Sequence, residues 1–548
     1  MPEIKTLVIN NFGGPLTRKL TGDINSGLAN FDNSYGYDPF SKPGTLTFLE
    51  QPTSIITLTT TDGPISGLKV IPRADTINVY GVTEKTGKVY KVQVNDVGTT
   101  NPNYDTASVI SQFTDGEDFF KSCSIQPYGA SIAAATKLYV GGDNGVSKVF
   151  TNGTVPSFVG AITSYQQDVP RPLALFLGKL YFGNRENIGE IDSTETVTTY
   201  YKLSPGFPSD CIVRDLDVTP DGNYLQITVS KTNQVQLDGL TLPNLPSGNE
   251  ETYKFYWNGT DASYTSYETY GGYSLTSNTI FGSKNFTTGY DLGGTALYDG
   301  SEKILSFPKT ISPNFSAMFS VGNLVGFATT MYDTSVNHFK GDLYFYGKYD
   351  NETQSGLYRF LRYSSGQGTE VNLIPTCTPV SNTFYAPTWA TYPGNVASNT
   401  KLYFSSSESK TIGATTFYGP LYKFNLVPTG SVSALAGVYQ TQAQLFSKKV
   451  NISEVRVYGE PWVASNAFTI DLIGSNQSSI AGASYTFSTS VLGVGVNATA
   501  STVAIGQDYA WYNPQHKPTY AVGLKVTNVG LKNLAIHKVE IDYSFSGK

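Results

Sequence analysis

The sequence predicts an all-β chain, a β-propeller of about seven blades followed by a C-terminal β-sandwich or jelly-roll domain. Three observations carry that prediction. Composition favours strands and turns, with 38 Tyr, 30 Phe and 54 Gly among 548 residues; aromatic side chains suit pleated surfaces and Gly punctuates turns. Tyr-rich hairpins recur along most of the chain without helical periodicity between them. After about residue 445 the texture changes to longer, cleanly alternating strands.

The chain begins "MPEIKTLVINNF", which has neither a basic n-region nor an apolar h-region, so no secretory signal is expected. "IKTLVI" at 4–9 reads as a strand. From Asn10 to Thr53 come two adjacent glycines, scattered Asn and Asp, and a Pro-Gly turn, with no sustained apolar periodicity. Such a stretch cannot pack a core of its own. Residues 1–50 are therefore set apart, with two roles left open. The segment supplies the closing strand of the propeller, "IKTLVI" itself being a candidate, or it lies as an extended arm across its own domain or a neighbouring subunit. Gly13 and Gly14 permit a close backbone approach or a positive φ.

The propeller is assigned to residues 51–446. Its clearest hairpins are "DLYFYGKYDNETQSGLYRFLR" from Asp342 and "KLYFSSSESKTIGATTFYGPLYKFNL" from Lys401. Shorter relatives are "KLYVGGDNGVSKVF" from Lys137, "KLYFGNRENIGEID" from Lys179 and "TINVYGVTEKTGKVYKVQV" from Thr76. Each places alternating apolar and aromatic residues on both sides of a Gly, Asn or Asp turn. Leu138 and Leu180 lie 42 residues apart, and Leu343 and Leu402 lie 59 apart; a period near ~40–50 residues marks one four-stranded blade. Weaker candidates between them are "PDGNYLQITVSKTN" with "ETYKFYW", and "GTALYDGSEKILSF".

Residues 447–548 form the predicted sandwich. In its last strand Val539, Ile541, Tyr543 and Phe545 alternate with Glu540, Asp542 and Ser544, one face buried and one wet.

Chemistry is sparse. The three histidines, His338, His516 and His537, are scattered, which leaves no triad base with partners and no HExxH zinc pattern. Cys123, Cys211 and Cys377 lack metal-ligand spacing and read as buried free thiols. Carboxylate hydrolysis has candidates in Asp115, Glu117, Asp118, Asp215 and Asp217, the last two on one strand face, though acidic turns are ordinarily solvated. No calcium loop, P-loop or dinucleotide fingerprint is present, and no cofactor is expected. Trp257, Trp389, Trp462 and Trp511 are available for sugar stacking, but core packing explains them equally well. The tripeptides at Asn152, Asn258 and Asn285 match the glycosylation pattern and, without a signal peptide, read as chance. The net charge is −6 with no basic block, which argues against tight nucleic-acid binding. No run of about 18 apolar residues predicts a membrane span.

One stretch adds what composition cannot. "INNFGGPLTRKLTGDINSGLANFDNSYGYDPFSKPGTL" resembles the opening of tail-associated structural proteins of tailed bacteriophages. The matching residues are Asn11, Phe12, Gly13 and Gly14, then Ala29, Asn30 and Phe31, then Pro43 and Gly44. The basic Arg-x-Gly that often follows the Pro-Gly is replaced by "TLTFLEQPT", which leaves nozzle, adaptor, hub and peripheral decoration open.

The resemblance implies a propeller followed by a small β domain, and a non-enzymatic virion protein made in the host cytoplasm. It also implies a homo-oligomer, with a hexameric ring as one form, that meets other tail proteins and lets DNA pass without specific binding. Mild acidity suits such a conduit. Two other readings stay open: a receptor- or carbohydrate-binding module with exposed aromatics near Trp462 or Trp511, and a propeller glycoside hydrolase or lactonase.

Overall fold

The computed structural model describes residues 3–12, 31–38, 44–48, 53–59, 61–63, 65–72, 77–94, 105–114, 117, 119, 123–128, 137–150, 156–198, 207, 211–219, 221–231, 252–260, 263–270, 274–281, 284–291, 294–299, 302–308, 326–329, 343–347, 356–360, 371–374, 388–392, 401–405, 409–412, 415–425, 437–459, 467–488, 509–528 and 535–546. These residues are almost entirely strand, the one short 3-10 turn being Ile162–Ser164. The chain divides into two compact units, Met1–Pro52 with Leu357–Cys377 and Phe424–Lys548, and Thr53–Gly356 with Thr378–Lys423.

The second unit holds the propeller, apart from the strands Gly356–Phe360 and Val371–Ile374 of one blade, which from Leu357 onward fall in the first unit's span Leu357–Cys377. Six antiparallel sheets have four strands, and a seventh has four plus an added fifth. Their innermost strands are Ile65–Pro72, Ser124–Pro127, Leu173–Phe176, Cys211–Val218, Ser274–Phe281, Gly326–Thr329 and Thr388–Tyr392. Each packs beside the next and the last packs beside the first, so the ring closes. The Lys137, Lys179 and Thr76 hairpins are the middle strands of the second, third and first blades. The weaker pair Leu225–Lys231 and Thr252–Trp257 forms the middle of the fourth.

Between blades the packing is apolar: Ala174, Phe176, Tyr181 and Ile188 of the third meet Val213, Leu225, Ile227, Val229, Phe255 and Trp257 of the fourth in one buried cluster. Tight spots need Gly. A Cβ on Gly141 would stand 2.3 Å from the Arg171 carbonyl oxygen.

The closing strand is Thr53–Thr59, which pairs with Thr415–Asn425 from Phe417↔Thr59 to Lys423↔Thr53. "IKTLVI" does not serve that role. Its strand, Lys5–Ile9, pairs with Ala535–Phe545 in the other unit's sheet. The reason is local: Leu7 and Ile9 point to an apolar core there, whereas Thr53–Thr59 directly precedes the first blade and is tethered to it.

The first unit holds eleven antiparallel strands in two ladders, one around Thr519–Asn528 and one around Gln444–Gly459 and Ala535–Phe545, connected where Gln444 and Leu445 pair with Val522 and Ala521. Its main path runs Phe31–Tyr35, Gly437–Thr441, Thr519–Asn528, Gln444–Gly459, Ala535–Phe545, Leu46–Phe48 and Tyr37–Asp38. Buried side chains from the N-terminal segment and from residues 439–541 share one core. In the 16-residue strand Gln444–Gly459 the buried positions are Val450 and Ile452, then Val455, Val457 and Gly459. The parity changes because a bulge at Ser453 breaks the register with Ala535–Phe545, keeping the apolar side chains on the core face. The boundaries drawn from sequence at 50 and 446 thus differ from the observed units, in which the first 52 residues belong with the C-terminal strands.

Candidate functional site

The N-terminal segment is the first place to look, since nine of its residues carried the resemblance. Phe12 is fully buried and its ring meets Tyr439 edge-on, centroids 5.8 Å apart at 76°. The Tyr439 hydroxyl donates to the Phe12 carbonyl at 2.8 Å, and burial raises the Tyr439 pKa far above the usual phenol range. Tyr37 packs against the same ring at 6.4 Å. Phe31 opens the strand Phe31–Tyr35 and stands opposite Thr441. Gly44 has φ +74°, and a Cβ there would lie 3.3 Å from the Asn10 carbonyl oxygen. Asn11 is exposed. Gly13, Gly14, Ala29, Asn30 and Pro43 lie outside the described residues. The structure therefore brings Phe12 into a core and places Gly44 beside its own chain.

The outer face of this sheet is charged and ordered. Arg456 donates to Glu540 at 2.9 Å, Asp542 at 2.8 Å and Glu454 at 3.1 Å. Lys538 pairs with Glu540 at 2.9 Å and sits 4.0 Å over the Tyr458 ring, whose hydroxyl also donates to Glu540. Burial opposes the Arg456 charge, but the three carboxylates outweigh it and raise its pKa. The Lys538 bond, reinforced by Tyr458 and Arg456, lowers that of Glu540. Fixed rotamers make this a preorganised polar surface. Sequence reasoning missed it because the partners stand 84 and 86 residues apart; the signal available was the alternation of charged with apolar residues in both strands.

The propeller offers a second concentration of charge. Asp215↔Thr228, Thr228↔Lys254 and Lys254↔Glu268 stand opposite one another across the fourth blade, so the four share one face. Asp217, two residues from Asp215, joins them, as does fully buried Gln226 opposite it. Lys254 is fully buried, and burial pushes its pKa down to about 8 against the pull of Glu268, Asp217 and Asp215. Burial likewise lowers Lys69 on the first blade's innermost strand, where the Asp217 charge works in the opposite direction. A lysine near neutrality among carboxylates is capable of proton transfer, but it lies on the third strand of its blade, away from solvent.

Other polar groups are committed to holding blades together. Arg171 is fully buried, donates to the Gly142 and Gly183 carbonyls and to Asn184 Oδ1, and lies over the Tyr165 ring. Burial pushes its pKa down to about 10. Glu195 accepts from Lys137 at 2.6 Å, Tyr139 at 3.0 Å and Lys148. Burial opposes its charge, yet these bonds hold the carboxyl down at about 2.

Of the remaining candidates, Glu117 accepts from the Asn144 N–H at 2.8 Å, and Asp115 and Asp118 lie outside the described residues, as do His338, Cys377 and Trp462. His516 Nε2 accepts the Ile452 N–H, and His537 Nδ1 bonds Thr45, so both rings are structural. Cys123 is a partly buried free thiol whose pKa burial raises. Trp257 is fully buried against Tyr181, and Trp511 is half-buried. Among the described residues no group of three or more His, Cys, Asp or Glu is placed to hold a metal ion. No described helix is long and apolar enough to cross a membrane.

No protein-family model matches the chain, and no curated protein matches it in sequence. Solved structures do. A chain in a crystal structure of the mitotic checkpoint complex is similar over 69% of this chain and 93% of its own, at 10% identity and a TM-score of 0.40. A structure of the Dos1 propeller is similar over 73% and 93%, at 12% identity and 0.38. A catalytically inactive virginiamycin B lyase from Staphylococcus aureus, crystallised with quinupristin, is similar over 69% and 99%, at 12% identity and 0.38.

Proposed function

We propose that this chain is a non-enzymatic structural protein of a tailed-phage virion, part of the tail as nozzle, hub or adaptor near the DNA channel. One observation carries the reading furthest. The segment that resembles tail proteins is built into the β unit, Phe12 in its core, and the propeller strands lie in sequence between the three parts of chain that make that unit. A rigid platform with an inserted propeller suits mechanical work: several copies surround an axis, and the propellers present surfaces to other tail proteins. The bonded charges of Arg171, Glu195 and Arg456 support the same reading, since each is committed to holding strands together. Negative-stain electron microscopy of the purified full-length chain tests it. Rings with a central opening are the expected result; particles that never close into rings refute the reading.

A second reading has a specific observation behind it. Tyr267 is 62% exposed and extends a tier of rings, 5.6 Å from Phe255 and 6.4 Å from Tyr253. An open tyrosine face of this kind suits stacking on a sugar ring, and this reading takes the fourth blade, rather than the surroundings of Trp462 or Trp511, as the carbohydrate-binding surface. Glycan-array binding that Tyr267→Ala removes would support it; an array without signal excludes it.

A further inference from the structure

Between Leu445↔Ala521 and Val450↔Thr519 the ladder of the β unit slips, so that Phe446, Ser447, Lys448 and Lys449 stand against Tyr520 alone. A bulge of this kind re-aims the side chains it carries. This one is pinned at both ends. The Phe446 ring packs on Tyr543, centroids 5.0 Å apart, and the Lys449 carbonyl accepts the Ser546 N–H at 2.8 Å. Lys448 and Lys449 are thereby held in solvent, with Lys449 Nζ 5.5 Å over the Tyr520 ring. Tyr520 shares a strand face with Val522 and Leu524 but lies where their core ends, and it is 53% exposed. Lys517, exposed three residues before it, adds a third ammonium group.

Other lysines of this protein are neutralised. Lys88 pairs with Asp62 at 2.8 Å, Lys179 with Glu190 at 2.8 Å and Lys538 with Glu540 at 2.9 Å. Lys448, Lys449 and Lys517 meet no carboxylate among the described residues. The carboxylates Glu454 and Asp542 on the adjoining strands are already bonded to Arg456. Like charges brought side by side repel unless an anion joins them. The fold gathers them here, since Lys449 and Lys517 are 68 positions apart in a chain whose net charge is −6.

We propose that this ledge binds single-stranded nucleic acid without regard to sequence, its phosphates on Lys448, Lys449 and Lys517 and an unpaired base on Tyr520. Ammonium groups set around an open aromatic ring are what a single strand matches: the backbone answers the charge, and every base has a π-face to stack. A duplex keeps its bases stacked inside, and an acidic peptide answers the charge alone. Binding of this kind is salt-sensitive and independent of the virion reading.

Fluorescence anisotropy of a labelled oligothymidylate, titrated with the full chain, tests it. Three phosphates neutralised on a single strand give a logarithmic salt slope of about −2, so affinity should fall about 20-fold between about 50 and about 200 mM salt. The double substitution Lys448→Glu with Lys449→Glu should bring that slope to about −1 or shallower and weaken binding, whereas Lys448→Arg with Lys449→Arg should retain both. Tyr520→Ala should weaken binding about fivefold or more and leave the slope unchanged. All these positions are exposed, and a thermal melt of each variant checks that the fold is intact. A wild type that fails to bind at about 50 mM salt, a slope unmoved by the glutamate pair, or an affinity unmoved by Tyr520→Ala overturns the proposal. A duplex of the same length bound as tightly, or polyglutamate competing as well as the oligonucleotide, overturns it in favour of a surface that takes any polyanion.

Discussion

Replacing Phe12 by Ala should unfold the β unit at much lower denaturant while leaving the propeller nearly untouched. Phe12 is fully buried among side chains from residues 439–541. Removing a buried Phe side chain costs about 3–5 kcal/mol, because the lost transfer energy is joined by a cavity the sheet cannot wholly close. Of that, the edge-on contact with Tyr439 accounts for about 0.5–1.5 kcal/mol. The Tyr439 hydroxyl is bonded to the Phe12 backbone carbonyl, so a local shift of the segment would also strand a buried donor, at about 1–3 kcal/mol. An expected loss of about 4 kcal/mol is a large share of a unit's stability. Two units need not unfold together, so the assay must separate them. Hydrogen exchange read by mass spectrometry does so: peptides over Thr519–Asn528 and Ala535–Phe545 should lose protection, and those over the first three blades should not. Protection changed by less than about 1 kcal/mol in those strands would refute the claim that the N-terminal segment is a core element. The same reasoning predicts that deleting residues 1–45 destroys the β unit instead of releasing folded subunits.

Glu195 makes a pH prediction. Its folded pKa lies below its ordinary value of 4.5, so its contribution is complete above pH 4.5 and is lost as pH falls toward about 2. Acid unfolding of Glu195→Gln should lack that part of the slope. Lys254 predicts the opposite trend: its pKa is pushed from 10.5 to about 8, so the unfolded chain binds the extra proton between those values and stability rises with pH across that window. The gain is about 3 kcal/mol at 1.36 kcal/mol per unit, and urea titrations of Lys254→Met should show no such rise. Gly482→Ala should cost about 2–5 kcal/mol, combining a left-handed backbone with overpacking; the residue has φ +80° and a Cβ would fall 1.8 Å from the Gln515 carbonyl oxygen. Thermal melts would check it, and an unchanged midpoint would mean the hairpin moves freely.

The sequence by itself determined the local grammar of this protein. Hairpins such as Lys137–Gly141 with Val146–Phe150 were legible because alternation and turn residues act within a dozen positions. The last strand was legible too, since Val539 and Ile541 are buried and Glu540 and Asp542 face outward in the charged network. Asp215 and Asp217 share a strand face for the same reason, a period of two. What only the tertiary structure decided is which distant strands meet. Nothing near Lys5–Ile9 announces Ala535–Phe545 as its neighbour, nor Thr53–Thr59 as the strand that closes the ring. Those choices depend on burying apolar faces across hundreds of residues, an energy that exists only once both partners are folded. Phe12 shows the limit most plainly: in sequence it sits in a stretch with no core of its own, and in the fold its core is supplied by the far end of the chain.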